Sequence, residues 1–132
     1  MKRKLSLILA LVLATMVFMS FASTAFADTI IPSATWNLAT KGRYNFSGVA
    51  NNQTLYTNYL LYGKTSVQIH VVNNHSTAKL TTKLTKKGSL VATSSAVTPT
   101  KGSTTWTVSG LKAADNYFVG FLAPSNFSGY IQ

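Results

Sequence analysis

Carboxylates are scarce in this sequence, which limits the catalytic chemistry that it can perform. The 132 residues contain two acids in total, Asp28 and Asp115. Glycosidases of the usual kind place a pair of carboxylates across a cleft. Asp28 is the first residue after a predicted signal peptide, and Asp115 lies in a predicted turn before Tyr117, so this sequence does not predict such a pair. There is no cysteine and no Gly-x-Ser-x-Gly nucleophile motif. We therefore expect a protein that is not an enzyme.

The two histidines do not predict a metal site. His70 falls on the polar face of a predicted strand, and His75 lies in the turn that follows it. Structural zinc usually takes four histidine, cysteine or acidic ligands, and this sequence offers no such partners near the pair. Surface histidines, with no metal and no other cofactor, are the expected arrangement.

Lysines form the densest group of candidate binding residues. Lys79 and Lys83 share one face of a predicted strand, and Lys86 and Lys87 continue the charge into the turn before Gly88. Four cations within nine positions suit an anionic cell-wall polymer or acidic glycan, and an anionic membrane surface is a further candidate. Nucleic acid is disfavoured because no recognition motif is present. The alternative is an edge strand whose lysines block edge-to-edge aggregation.

Aromatic residues on both faces distinguish the segment Leu55–Tyr62 from its neighbours. Tyr56 and Tyr62 alternate with leucines there, and an exposed tyrosine face could stack on sugar rings. The alternative is a central strand that is buried on both sides. The candidate ligand-binding residues are accordingly Lys79, Lys83, Lys86, Lys87, Tyr56 and Tyr62.

The N-terminal segment has the pattern of a secretory signal. Basic residues at positions 2–4 precede an apolar run from Leu5 to Val17, and Ala25-Phe26-Ala27 fits the cleavage rule. We predict a signal peptide over residues 1–27 and one secreted domain over residues 28–132, for which the cell wall is an expected site of attachment. An uncleaved anchor helix is the alternative. Removing three of the 12 basic residues leaves nine against two acids, a net charge of +7.

Period-two alternation of apolar and polar residues recurs through the mature chain. Val67, Ile69 and Val71 share one strand face, and Tyr117, Val119 and Phe121 share another. Turn signals rich in Asn, Gly and Pro separate the runs at intervals typical of sandwiches and barrels. The pattern predicts an all-β fold, an antiparallel, jelly-roll-like β-sandwich of eight or nine strands.

Two families show local similarity to this pattern. The run Phe46-Ser47-Gly48-Val49, together with Asn116-Tyr117-Phe118-Val119 and Ser128-Gly129-Tyr130, resembles bacterial pre-peptidase C-terminal-type domains. That resemblance implies a jelly-roll sandwich with an accessory or carbohydrate-binding role. The acidic residues common in that family are missing here, so no calcium role is carried over.

A shorter stretch is similar to lactococcin 972-type bacteriocins. It comprises Tyr56-Thr57-Asn58-Tyr59, Lys64-Thr65 and Val71-Val72-Asn73-Asn74. That resemblance implies a secreted β-sandwich that acts on the envelope of related bacteria. The sequence thus predicts a secreted, non-catalytic module that binds an anionic or glycan component of the bacterial cell envelope, with a bacteriocin-like protein as the alternative.

Overall fold

The computed structural model describes residues 25–132 of the chain. The predicted leader, apart from its last three residues, lies outside that range. The described part consists of eleven strands and one short helix: β1 (Ala25–Phe26), β2 (Thr35–Asn37), α1 (Leu38–Lys41), β3 (Tyr44–Ala50), β4 (Leu55–Tyr56), β5 (Leu60–Tyr62), β6 (Ser66–Asn73), β7 (Leu80–Lys86), β8 (Ser94–Thr98), β9 (Ser103–Ser109), β10 (Tyr117–Phe121) and β11 (Ser125–Ile131).

The strands form two sheets that pack face to face as a β-sandwich. The five-stranded sheet has the order β1-β3-β11-β6-β9, and the six-stranded sheet has the order β2-β5-β10-β7-β8, with β4 also paired to β10. The predicted all-β sandwich is confirmed. The sheets are mixed rather than wholly antiparallel, since β1 pairs with β3 and β2 with β5 in parallel. The strand count exceeds the predicted eight or nine because several strands have only two or three residues.

Alternating side chains from both sheets build the core, as the period-two pattern predicts. Along β6 the buried residues are Val67, Ile69 and Val71, and along β7 they are Leu80 and Leu84. Aromatic rings fill the centre of the sandwich. The Phe121 and Phe127 rings stack with centroids 3.8 Å apart, and the Phe46 ring lies 4.9 Å from Phe121. The packing of these rings supplies the cohesion that this cysteine-free domain cannot obtain from disulfides.

The strand β1 covers the outer edge of β3 and includes part of the predicted cleavage motif. Ala25 and Phe26 pair with Phe46 and Ser47, and the Ala27 N–H donates to the Ser47 carbonyl at 2.8 Å. Cleavage after Ala27 stays a prediction, and it would remove this two-residue strand. Between residues 25 and 132 there is no helix with the length and hydrophobicity needed to cross a bilayer.

Candidate functional site

The structure divides the four predicted lysines among different surroundings. Lys83 projects from the middle of the outer face of β7, and Lys79, just before that strand, is exposed on the same side by alternation. Lys86 ends β7 and makes an ion pair with Asp115, with Nζ 2.8 Å from Oδ2. Lys87 is exposed in the turn that follows. The four cations therefore do not form one compact cluster.

The strand β7 is an interior strand, so the edge-strand alternative for the lysines is wrong. It pairs along its length with β10 on one side and with β8 on the other. Its backbone N–H and C=O groups are thus largely used inside the sheet, and an aggregation-blocking role at an open edge does not apply to Lys83.

The segment Leu55–Tyr62 is two short strands rather than one, and its two candidate tyrosines are separated. Tyr56 lies on β4 and Tyr62 on β5, and both are half-buried. Tyr62 lines a small cavity beside Lys64 and Leu111, between the sheets at one end of the sandwich. Tyr56 lies on the outer face of the six-stranded sheet, the same face as Lys83.

Strand pairing places Lys83, Gly120 and Tyr56 in one row across three neighbouring strands. Gly120 on β10 pairs with Lys83 on β7 and with Tyr56 on β4. A Cβ atom on Gly120 would lie 3.2 Å from Cε1 of Tyr56, which shows that the tyrosine ring packs over the bare backbone of Gly120. The Tyr56 and Phe118 rings make a T-shaped contact, with centroids 5.6 Å apart and planes at 80°.

This row forms the floor of a groove on the outer face of the six-stranded sheet, which we call the outer groove. Its volume is about 370 Å³. Apolar and aromatic groups predominate in the lining, together with one cation and several hydroxyl groups. The lining residues are Ile31, Thr54, Tyr56, Lys83, Thr85, Ser89, Leu90, Phe118, Gly120 and Leu122.

The chemistry of the outer groove suits a partly apolar ligand that carries negative charge. An aromatic ring offers a flat apolar surface with a polar tip, which is the usual way that proteins contact a sugar ring. Lys83 is exposed and makes no ion pair in the described part of the chain, so its charge is available to a ligand. The hydroxyl groups of Thr54 and Thr85 can donate and accept hydrogen bonds.

The ion pair with Asp115 stabilises the charged form of Lys86 and occupies its ammonium group, which is then less available to a ligand. The Asp115 carboxylate accepts a hydrogen bond from the Lys86 ammonium and attracts its charge, and both effects raise the pKa of Lys86. Lys86 is therefore the least available of the four predicted lysines.

The histidines lie on the surface, away from the outer groove. His70 is on the outer face of the five-stranded sheet, where its ring stacks on Tyr130 and its Nδ1 lies 2.6 Å from the Thr105 hydroxyl. His75 uses Nδ1 to accept hydrogen bonds from the backbone N–H groups of Thr77 and Ala78. Among residues 25–132 no three His, Cys, Asp or Glu side chains gather as metal ligands would.

Phe118, Gly120 and Leu90 line the groove but are not among the residues that sequence reasoning selected. A signal for two of them was present, because Phe118 and Gly120 alternate with the core residues Tyr117, Val119 and Phe121 and so belong to the opposite face. Nothing in the local pattern places Leu90 over that face, since it lies in the loop between β7 and β8.

No protein-family model matches this chain, and neither the curated proteins nor the solved structures include a significant match to it.

Proposed function

We propose that the protein is a secreted, non-catalytic module that binds an anionic or glycan component of the bacterial cell envelope in the outer groove. The observation that carries this proposal is the row formed by Lys83, Gly120 and Tyr56. It joins a cation to an aromatic surface across a glycine on whose backbone the tyrosine ring packs. A sugar unit of a charged polymer would lie against Tyr56 while its anionic substituent faces Lys83.

Charge supports this choice of ligand. The described residues carry nine basic side chains against two acids, and one of those acids is already paired with Lys86. A surface with so little negative charge attracts polyanions over distances of about a Debye length, roughly 10 Å at 0.1 M salt. Phosphate-bearing wall polymers and acidic glycans are the polyanions that an exported protein would meet.

Retention of the purified protein on isolated cell walls tests the proposal. Tyr56→Ala should weaken retention about tenfold, the loss typical of a buried aromatic contact in a binding site. Lys83→Gln should weaken it several-fold at low salt and much less at high salt, because salt screens an exposed charge. Gly120→Ala should also weaken it, since the added methyl group pushes the Tyr56 ring into the groove.

Matched control variants are available outside the outer groove. Lys79→Gln removes an equal charge from the same side of the sheet but outside the groove. Tyr130→Ala removes a half-buried tyrosine from the other outer face. Both controls should retain binding, and circular-dichroism melts should show that all variants are folded. Retention that is equal for Tyr56→Ala, Lys83→Gln and the controls would overturn the assignment.

A further inference from the structure

Topology gathers most of the positive charge at one end of the sandwich. Strands β3 and β6 begin at this end and β9 and β11 finish there, because Tyr44 pairs with Ile131 and Ser66 with Ser109. In the other sheet, β7 finishes at the same end as β10 begins. Six of the nine basic residues in the described part of the chain lie in or beside the connections at this end, which we call the basic end: Lys41, Arg43, Lys64, Lys86, Lys87 and Lys112.

Backbone hydrogen bonds hold the connections of the basic end together. The Gly63 N–H donates to the Ala113 carbonyl at 2.8 Å, and the Leu111 N–H donates to the Thr65 carbonyl at 2.9 Å. The Lys87 N–H donates to the Asn116 carbonyl at 2.8 Å, which joins the loop after β7 to the loop before β10. The cations are therefore presented by one connected surface rather than by independent loops.

Among the described residues, the basic end has one acidic side chain. Asp115 lies in the loop between β9 and β10 and is paired with Lys86. The other acid of the described chain, Asp28, bridges to Tyr56 on β4, away from these loops. Six cations against one acid give the basic end a local charge of +5, and that field attracts an anionic surface.

The loop between β7 and β8 starts at the basic end and exposes an aliphatic pair, which we call the aliphatic tip; one of the pair, Leu90, also lines the outer groove. The loop between β7 and β8 carries Leu90 and Val91, whose relative exposures are 104 % and 75 %. The turn is held by Ser89, whose hydroxyl donates to the Val91 carbonyl at 3.0 Å and accepts from the Val91 N–H at 3.2 Å. These two neighbouring aliphatic side chains form an exposed apolar surface next to Lys86 and Lys87, which a partner can cover.

We propose that the basic end docks on an anionic lipid bilayer. Leu90 and Val91 enter the boundary between headgroups and acyl chains, while the surrounding lysines lie at the level of the anionic headgroups. This combination of an apolar element and adjacent cations is how interfacial proteins bind membranes without spanning them. A water-soluble polyanion would use the lysines but would leave the aliphatic tip in water, so the tip favours lipid over polymer.

Sedimentation of the purified protein with lipid vesicles tests this proposal. Binding is expected to vesicles of equal parts phosphatidylglycerol and phosphatidylcholine, and not to vesicles of phosphatidylcholine alone. Val91→Ser should weaken binding about five- to tenfold through lost apolar burial. Val49→Ser, which changes a similarly exposed valine near the opposite end of β3, should have no effect. Val91 does not line the outer groove, so this pair leaves the envelope-binding site intact.

Two double variants with the same net charge distinguish the effect of the charge at the basic end from the effect of the net charge of the whole protein. Lys87→Gln with Lys112→Gln removes two exposed cations from the basic end, and Lys79→Gln with Lys101→Gln removes two exposed cations from elsewhere. The first pair should reduce vesicle binding more than tenfold, at about fivefold per lysine, and the second should reduce it far less. Asp115→Asn, which frees Lys86, should strengthen binding.

Three results would overturn the membrane assignment. These are equal binding to neutral and anionic vesicles, equal effects of the two charge pairs, and unchanged binding by Val91→Ser. If isolated wall polymers bind through Lys87 and Lys112 whereas vesicles do not bind, the basic end is a polymer site instead. Failure here leaves the outer groove unaffected, because its own test uses Tyr56, Lys83 and Gly120.

Discussion

Tyr44 is a buried tyrosine whose hydroxyl group is tied to the backbone. It begins β3, packs against Trp36 and Tyr59 in edge-to-face contacts, and is almost fully buried. Its hydroxyl accepts a hydrogen bond from the Asn58 N–H at 3.1 Å. Burial disfavours the phenolate and raises the pKa of Tyr44 from 10.0 to about 12. The folded structure therefore favours the protonated, neutral form of the Tyr44 hydroxyl group.

This raised pKa predicts a loss of stability in alkali. The unfolded chain releases the Tyr44 proton near pH 10, whereas the folded chain holds it to about pH 12. The stabilisation is therefore complete below pH 10 and falls as the pH rises towards 12, by about 2 kcal/mol at pH 12. Urea unfolding at a series of pH values measures this loss.

Tyr44→Phe is the control for that experiment, because the other titrating groups are the same in both chains. The variant should be about 1 kcal/mol less stable at neutral pH, since it lacks the hydrogen bond to Asn58. Its stability should fall about 2 kcal/mol less than that of the natural chain between pH 9 and pH 12. Parallel pH profiles for the two chains would contradict the prediction.

At the scale of the elements, one buried side chain explains why Leu55–Tyr62 is two strands. The Thr57 hydroxyl accepts a hydrogen bond from the Val119 N–H at 3.2 Å and donates to the Tyr59 carbonyl at 3.1 Å. A side chain thereby takes the place of a backbone partner in the ladder, and β4 ends there. The alternation of residue types predicted the strand character but could not reveal this interruption, because threonine is itself a common strand residue.

Gly129 sets how closely β11 approaches β6. A Cβ atom at this position would overlap the backbone carbonyl oxygen of His70 and lie 2.8 Å from Cε2 of Phe46. The neighbouring strand backbone cannot move aside without breaking the pairing of Gly129 with Val71. We expect Gly129→Ala to cost about 3 kcal/mol or more of unfolding free energy, measured by urea unfolding.

Gly48→Ala provides the comparison for that substitution. Its added Cβ would lie 2.8 Å from the outer atoms of the Leu55 and Phe127 side chains, which can shift more easily than the backbone of a paired strand. A cost of about 1–2 kcal/mol is expected, clearly smaller than for Gly129. Equal costs at the two positions would show that side-chain crowding, and not the approach of the strands, controls stability here.

For most strands, the sequence predicts which side chains point into the core and which point outward, but it does not predict the outer groove. Inward and outward positions on β6, β7 and β10 follow directly from alternation. The groove depends on which strands are neighbours, because Tyr56, Lys83 and Gly120 are far apart in the chain and meet only through β10. Pairing between distant strands is decided by packing of the whole domain, which no local pattern encodes.

At the scale of the molecule, the two sheets share one topological property: strands from the end of the chain lie in their interiors. The last strand, β11, lies between β3 and β6, and β10 lies between β5 and β7. Neither sheet can be completed until these strands are available, so the pairings that define the fold are long-range. Such a topology folds slowly and as one unit. Late completion of the sheets also suits the predicted export. A chain that lacks β10 and β11 has no complete sheet that would have to unfold before translocation.

This topology predicts opposite outcomes for truncation at the two ends. A chain that stops at Leu122 lacks β11, which leaves β3 and β6 without their shared partner and exposes Phe46 and Ile69. It should show no cooperative thermal transition by circular dichroism and should be digested rapidly by protease.

A chain that starts at Asp28, as the predicted processing would produce, loses only the edge strand β1. It should melt cooperatively within about 2 kcal/mol of the longer chain, because two strand residues at an edge bury little surface. If the chain without β11 melts cooperatively, or the chain without β1 does not, the interior strand does not control folding as the topology requires.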